Sequence, residues 1–191
     1  KFNKYIQDKE LSISRESFQY NRRWFYHDIL DPVEFNFGEK EEKVQLDERN
    51  QEILNILTDN SRTKLIEVSK KIKLNSKMVA YRIKRMKKEG IIKGYKILLN
   101  PSLMGFSTCK AFVFFKNINE TKMKEFIEYW KRLPNTINIV ITFAPWDLEI
   151  MFETKTYEDY FKIMDDVKER FKNIIKIYDS VLISSEPKQK F

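Results

Sequence analysis

The order of elements in the second half of the chain restricts the possible folds most strongly. From Ser107 on, the sequence predicts strand, helix, strand, strand, helix, strand. "TINIVITF" and "WDLEIMFE" alternate apolar and polar residues, whereas Phe126 and Trp130 belong to an apolar stripe at helical spacing. This βαββαβ order is typical of the ferredoxin-like split βαβ fold. It predicts an α+β class with such a domain at residues 101–191.

Residues 46–100 have helical periodicity instead. We expect three helices, the first capped by Asp47, the second by Thr63 and the third by Ser76. Gly90 should end the third helix, and "IIKGYKILLNP" should leave it as a strand. Two helices joined by a short turn predict a helix-turn-helix, winged-helix-like domain.

The first 45 residues are an unusual beginning. "ELSISRES" predicts a strand half-buried through Leu11 and Ile13, and two aromatic-rich strand candidates lie on either side of "LDP". Residues 38–43 form a charged linker, and the whole stretch has too few apolar residues to fold alone. Residues 2–17 resemble residues 171–186. Residues 1–45 are therefore interpreted as the tail of a preceding repeat plus a linker, and the chain as a fragment of a longer tandem-repeat protein.

The net charge is concentrated in one stretch. The chain carries +8 overall, with 36 basic and 28 acidic residues. Nine of the basic residues lie between Lys73 and Lys96, where Glu89 is the one acidic residue. The remainder of the chain then has 36 − 9 = 27 basic and 28 − 1 = 27 acidic residues and is neutral. A local surplus of this kind points to an anionic partner, here double-stranded DNA.

The composition argues against most catalytic and metal-binding functions. Cys109 is the only cysteine and His27 the only histidine, which excludes an intrachain disulfide, a cysteine zinc cluster and most acid–base schemes. No GxxxxGK[ST] loop and no membrane-length apolar run occur. We therefore predict no catalytic residue, no metal and no cofactor, and a cytoplasmic location.

Three separated motifs resemble one family, the Lrp/AsnC (feast/famine) transcriptional regulators. They are "LDERNQEILNILTDNSR", "VSKKIKLNSKMVAYRIKRMKKEGIIKGYKILLNP" and "FAPWDLEI", and the resemblance covers residues 46–186. It implies a DNA-binding domain followed by a ferredoxin-like domain that forms dimers and can sense small molecules, often amino acids. The N-terminal tail resembles archaeal members with two tandem repeats.

The third helix holds the candidate DNA-binding residues. In a helix-turn-helix the second helix enters the major groove through its N-terminal residues. Lys77 and Tyr81 are then expected at base edges or nearby phosphates. Ser76 either caps the helix or caps it and also contacts a phosphate. The basic residues expected at backbone phosphates are Arg82, Lys84, Arg85 and Lys88.

Two positions depart from the family pattern. Lys73 replaces a turn glycine, and "APWD" replaces a loop that usually has glycine before the aromatic residue and the aspartate. Trp146 and Asp147 are the effector candidates, or else Trp146 packs at a subunit interface and Asp147 caps a turn. Since Pro145 has no amide to donate, free amino acids are expected to bind weakly or not at all.

The predicted function is that of a DNA-binding transcriptional regulator. A sheet with apolar residues on both faces predicts a homodimer formed by residues 107–186, which can assemble further. One alternative is an architectural DNA-coating protein with little sequence preference. The other is a haem-pathway decarboxylase of similar fold, which residues 100–191 disfavour because they contain no histidine and only Arg132 and Arg170 as arginines.

Overall fold

A computed structural model describes residues 8–25, 34–38 and 44–184. They form two compact units, one of residues 44–97 and one that combines residues 8–25 and 34–38 with 98–184. Residues 26–33, which hold His27 and part of the aromatic strand candidates, lie outside the described residues, as do most of the predicted linker and residues 1–7 of the predicted repeat. The elements are β1 Ile13–Tyr20, β2 Glu34–Gly38, α1 Glu48–Asp59, α2 Leu65–Ile72, α3 Ser76–Lys88, β3 Ser107–Phe115, α4 Glu120–Arg132, β4 Thr136–Phe143, β5 Leu148–Thr154, α5 Tyr157–Phe171 and β6 Ile175–Ile183.

The larger unit is an antiparallel sheet with two helices against it. The strand order is β2-β1-β4-β5-β3-β6, and the last four strands with α4 and α5 make the predicted βαββαβ arrangement. Phe126 and Trp130 of α4 are fully buried and belong to the same apolar core as Ile150 and Phe152 of β5. The α+β class with a ferredoxin-like domain is therefore confirmed. None of the helices in the described residues is long and apolar enough to cross a membrane.

The N-terminal segment extends this sheet. β1 pairs antiparallel with β4, and its Phe18 and Tyr20 enter the core. The predicted burial of Leu11 and Ile13 is wrong, because these side chains are 77% and 57% exposed. Ile13 lies opposite Phe143, an exposed residue at the end of β4, so the apolar pair falls beyond the packed part of the sheet. The register of β1 on β4, rather than its own alternation, decides which residues become buried.

A buried ion pair fastens the same segment to β5. The Glu153 side chain is fully buried and accepts hydrogen bonds from Nε and Nη2 of Arg22, at 3.0 and 2.9 Å. Trp24 donates its indole N–H to the same carboxylate at 2.8 Å and stacks on Phe106 with ring centroids 3.8 Å apart. Breaking such a pair leaves an uncompensated charge in the interior, so this contact strongly favours the docked segment.

The smaller unit is a three-helix domain. Its core consists of Ile53, Val68, Ile72, Val79 and Met86. Asp47 caps α1 as predicted, since its carboxylate accepts from the Asn50 amide. The predicted caps of the next two helices are wrong. Thr63 bonds to the Asn60 carbonyl instead, and Asn75, one residue before Ser76, caps α3 by accepting from the Lys77 amide.

The end of α3 is confirmed at Gly90. This glycine has φ 73°, and the amides of Gly90 and Ile91 donate to the carbonyls of Lys87 and Met86. That pattern is a Schellman motif, in which the following apolar residue packs back on the helix. The strand predicted at residues 91–101 is wrong, because Ile91 and Ile92 pack against the helical core and no strand forms there.

Lys73 adopts the left-handed conformation, with φ 55°, at the C-terminal end of α2. A side chain with a Cβ is disfavoured there, at a cost of up to about 1 kcal/mol relative to glycine. The turn between α2 and α3 therefore does require the backbone geometry for which glycine is best suited.

Replacing Arg22 by Ala is expected to lower the free energy of unfolding of the larger unit by about 3 kcal/mol, because Glu153 loses its ionic partner. All three tryptophans, Trp24, Trp130 and Trp146, lie in this unit, so their fluorescence during urea denaturation reports on it selectively. Arg15→Ala is the control, since Arg15 is exposed and 3.9 Å from Glu16. Equal stability losses in the two variants would contradict the assigned role of Arg22.

Candidate nucleic-acid interface

One side of α3 is exposed and strongly basic. Val79 and Met86 are buried on the other side, and Ile83 is half-buried between them. The exposed side repeats at intervals of three and four residues and consists of Lys77, Met78, Tyr81, Lys84, Arg85 and Lys88. We call these six residues the α3 face. Its first turn contains no acidic residue.

The predicted DNA-binding residues on this face differ in the contacts that they make with other side chains of the protein. Lys77, Lys84 and Lys88 are exposed. Arg85 forms an ion pair with Glu89, 2.7 Å between Nε and Oε1, and that hydrogen bond raises the pKa of the guanidinium. Its side chain is 61% exposed, and a solvent-exposed pair of this kind contributes little. A phosphate can therefore replace Glu89 at small cost.

Ser76 lies at the turn rather than on the α3 face. It is half-buried, and its hydroxyl donates to the Ser69 hydroxyl of α2 at 3.0 Å. Ser69 in turn donates to the Ile66 carbonyl. The Ser76 hydroxyl thus holds α2 against the start of α3.

Arg82 also turns away from the α3 face, towards α1. Its Nη1 contacts Oδ2 of Asp47 and lies 2.9 Å from Oδ1 of Asn50. Hydrogen bonding from Arg82 holds the pKa of the Asp47 carboxyl below its usual value. A carboxyl with a lowered pKa stays charged throughout the neutral range, so the contact is present under ordinary conditions.

The first turn of α1 therefore holds both other helices. Besides the Asp47–Arg82 contact, Arg49 donates to the Ile72 carbonyl at the end of α2, at 3.1 Å. Local sequence patterns do not reveal these contacts, because Asp47 and Arg82 are 35 positions apart. Arg82 follows Tyr81 in a basic run, and the side to which it points depends on where α1 lies.

The segment after α3 adds an aromatic residue near the basic helix. Lys87 Nζ lies 4.8 Å from the centroid of the Tyr95 ring, a cation–π distance. Tyr95 is 45% exposed. Tyr95 thus lies next to the basic C-terminal part of α3.

The effector candidates belong to a loop that satisfies its own polar groups. Asp147 accepts from the Phe115 amide at 2.8 Å and donates its own amide to the Val113 carbonyl. Trp146 packs 4.7 Å from the Phe112 ring and donates its indole N–H to Glu149. One carboxylate oxygen of Asp147, its amide and the indole N–H of Trp146 are thus engaged by the fold. Weak binding of free amino acids at this loop stays a prediction.

Glu149 lies beneath Trp146 and is part of the same network. Burial alone would raise the pKa of its carboxyl, but hydrogen bonds from Lys110 and Trp146 lower it. Ser12, just before β1, also donates to this carboxylate. Two carboxylates of β5, Glu149 and Glu153, are therefore both held by the N-terminal segment and its neighbours.

Comparison with known proteins gives the same picture. A family model described as winged helix-turn-helix DNA-binding matches residues 46–93. The HTH-type transcriptional regulator FL11 of Pyrococcus horikoshii is 26% identical over 123 residues, which cover 64% of this chain and 80% of that protein. The HTH-type transcriptional regulator LrpB of Bacillus subtilis is 42% identical over 72 residues, 38% of this chain and 48% of that protein.

A solved structure, that of an AsnC family transcriptional regulator from Agrobacterium tumefaciens, is similar with a TM-score of 0.67. The two chains are 19% identical, and the superposition covers 75% of this chain and 94% of the other. The similarity supports the fold. The resemblance to Lrp/AsnC regulators is confirmed. The prediction of a DNA-binding transcriptional regulator agrees with it, because these relatives are named as regulators rather than enzymes. The α3 face accordingly lies within the region that the winged helix-turn-helix model matches.

Replacing Asp47 by Asn tests the position of Arg82. Asparagine caps a helix about as well as aspartate but removes the charge that Arg82 contacts. If the contact orients α3, the variant should bind DNA roughly two- to fivefold more weakly, the range typical of exposed ion pairs, and melt at a lower temperature by circular dichroism.

Glu48→Gln is the matched control, because it removes the same charge from the neighbouring position of α1. It should leave both measurements nearly unchanged. Tighter DNA binding by Asp47→Asn would show that Asp47 merely competes with phosphate for Arg82.

Proposed function

We propose that this regulator binds double-stranded DNA by placing the N-terminal half of α3 in the major groove. The observation that carries the proposal is the α3 face itself: four cations and two large uncharged side chains on one exposed side of a recognition helix. Because the rest of the chain is electrically neutral, the favourable field for DNA is centred on this helix.

The side chains of the α3 face have different roles in this proposal. Lys77 and Tyr81 lie in the first two turns, where a recognition helix approaches base edges. Lys84, Arg85 and Lys88 follow towards the C-terminus and suit backbone phosphates, which orient a protein without specifying sequence. Arg82 acts indirectly by holding α3 against α1.

We also propose that the regulator acts as a homodimer through the face of the sheet opposite α4 and α5. Strand register puts Phe112 of β3 and Ile177 and Val181 of β6 on that face. Ile177 and Val181 are 51% and 48% exposed. Val181 lies opposite Lys110, whose ammonium is paired with Glu149, and Ile177 lies opposite Phe114. Ile177 and Val181 flank the carboxylate of Asp179 on this face, and a largely apolar surface of this kind suits a self-complementary contact between two copies.

Replacing Val181 by Lys should convert the dimer to a monomer, because the substitution would bury an unpaired charge in the interface. Light scattering at about 10 μM measures the change. Leu103→Lys is the control, since Leu103 is 86% exposed and lies outside the strands. A wild-type chain that is already monomeric would refute the proposed interface.

Binding to DNA should depend strongly on salt. With about six phosphates contacted per recognition unit, log K should fall against log salt with a slope of roughly −5. Lys84→Ala should weaken binding to all sequences equally and flatten the slope by about one, whereas Lys77→Ala should reduce the difference between the preferred site and random DNA.

Lys124→Ala controls for net charge, because it removes one exposed lysine from α4 in the larger unit. Salt-independent binding between about 50 and 200 mM would refute the α3 face as the DNA site. A regulator should also prefer its own site over random DNA at fixed salt, whereas an architectural coating protein should not.

A further inference from the structure

Met78 is an exposed apolar residue in the most basic part of the molecule. Met78 is the third residue of α3, and it is 48% exposed. Met86, on the core-facing side of the same helix, is fully buried. Tyr81, one turn further on, is 62% exposed. Residues three apart are neighbours on a helix surface, so the two side chains form an apolar pair near the start of the helix.

We infer that Met78, supported by the Tyr81 ring, recognises the C5-methyl group of thymine. This inference rests on the proposed DNA-binding function of α3. In the major groove each base pair presents donors and acceptors, and thymine additionally presents its methyl group, the apolar feature that a side chain can contact. A methionine side chain is unbranched and polarizable, so it can adapt to such a group.

The location of Met78 and Tyr81 between basic residues favours DNA over a protein as the partner. Lys77 precedes Met78 and Lys84 follows Tyr81 by three residues, so cations border the apolar pair at both ends. A protein that covered Met78 would have to bury or neutralise these ammonium groups. A DNA duplex provides phosphates for them and thymine methyl groups between, and it therefore matches the surface in both charge and polarity.

The pair also assigns different tasks to neighbouring residues. Lys77 donates hydrogen bonds and suits the acceptors of guanine or a phosphate, whereas Met78 has no donor and reads a methyl group. Val79 between Met78 and Ala80 points into the core, which holds the backbone of this turn in place. The inferred preference is therefore for a site with thymine at one or two fixed positions in each recognition-helix footprint.

The test replaces thymine by deoxyuridine, which pairs identically but lacks the methyl group. Bound sequences are first selected from random duplexes with the full chain, and each thymine of the preferred site is then substituted singly. Fluorescence anisotropy at fixed salt measures the affinities. At one or two positions the wild-type protein should lose about fourfold, the effect of exposing one buried methyl group.

Variants assign the effect to a side chain. Met78→Ala should bind thymine and deoxyuridine sites equally, and Met78→Leu should keep most of the discrimination. Lys77→Ala should weaken binding to both sites but keep their ratio. If Met78→Ala retains the full wild-type ratio, or if the selected site contains no thymine at a sensitive position, the inference is wrong while DNA binding by α3 stands. Failure of the wild-type chain to bind any duplex at low salt would refute both.

Discussion

Burial of Val79 and Met86 against α1 and α2 is the interaction on which the DNA-binding unit depends. Since a helix has 3.6 residues per turn, placing these two side chains inward directs Lys77, Tyr81 and Lys84 outward at once. The short first turn of α1 adds the angular restraint. Asp47 meets Arg82, and Arg49 meets the end of α2, so the rotation of α3 about its own axis is restricted by polar contacts as well as by packing.

The larger unit depends on an apolar core on one side of its sheet and on compensated carboxylates on the other. Its helix-covered side is an ordinary apolar core, but its other side carries the carboxylates Glu149 and Glu153 on β5. Glu153 is compensated from outside the βαββαβ part, whereas Glu149 is bonded by Lys110 and Trp146 within that part and by one residue outside it. Arg22 and Trp24 reach Glu153, and Ser12 reaches Glu149. The N-terminal segment therefore adds strands to the sheet and also supplies hydrogen-bond donors to the two β5 carboxylates.

Much of this could be predicted from the sequence, and the errors have physical reasons. Long periodic elements and the exposed basic helix follow from spacing alone, as does the end of α3 at Gly90, because these depend on residues close in the chain. The roles of Ser76 and Arg82 do not, since each is set by a partner on another helix, Ser69 and Asp47. The apolar residues Ile91 and Ile92 predicted a strand because β-branched runs are ambiguous until their packing partner is known.

The strand order has one more consequence. β1 and β2 precede the DNA-binding unit in the chain and β3 follows it, yet all three belong to one sheet. The winged helix-turn-helix is thus an insertion, with both of its ends returning to the same hydrogen-bonded scaffold. A single break in the chain on either side would leave the two units joined through the other connection. A regulator built this way loses its DNA-binding unit only after two cuts, or after one cut between that unit and β3 followed by separation of β1 from β4.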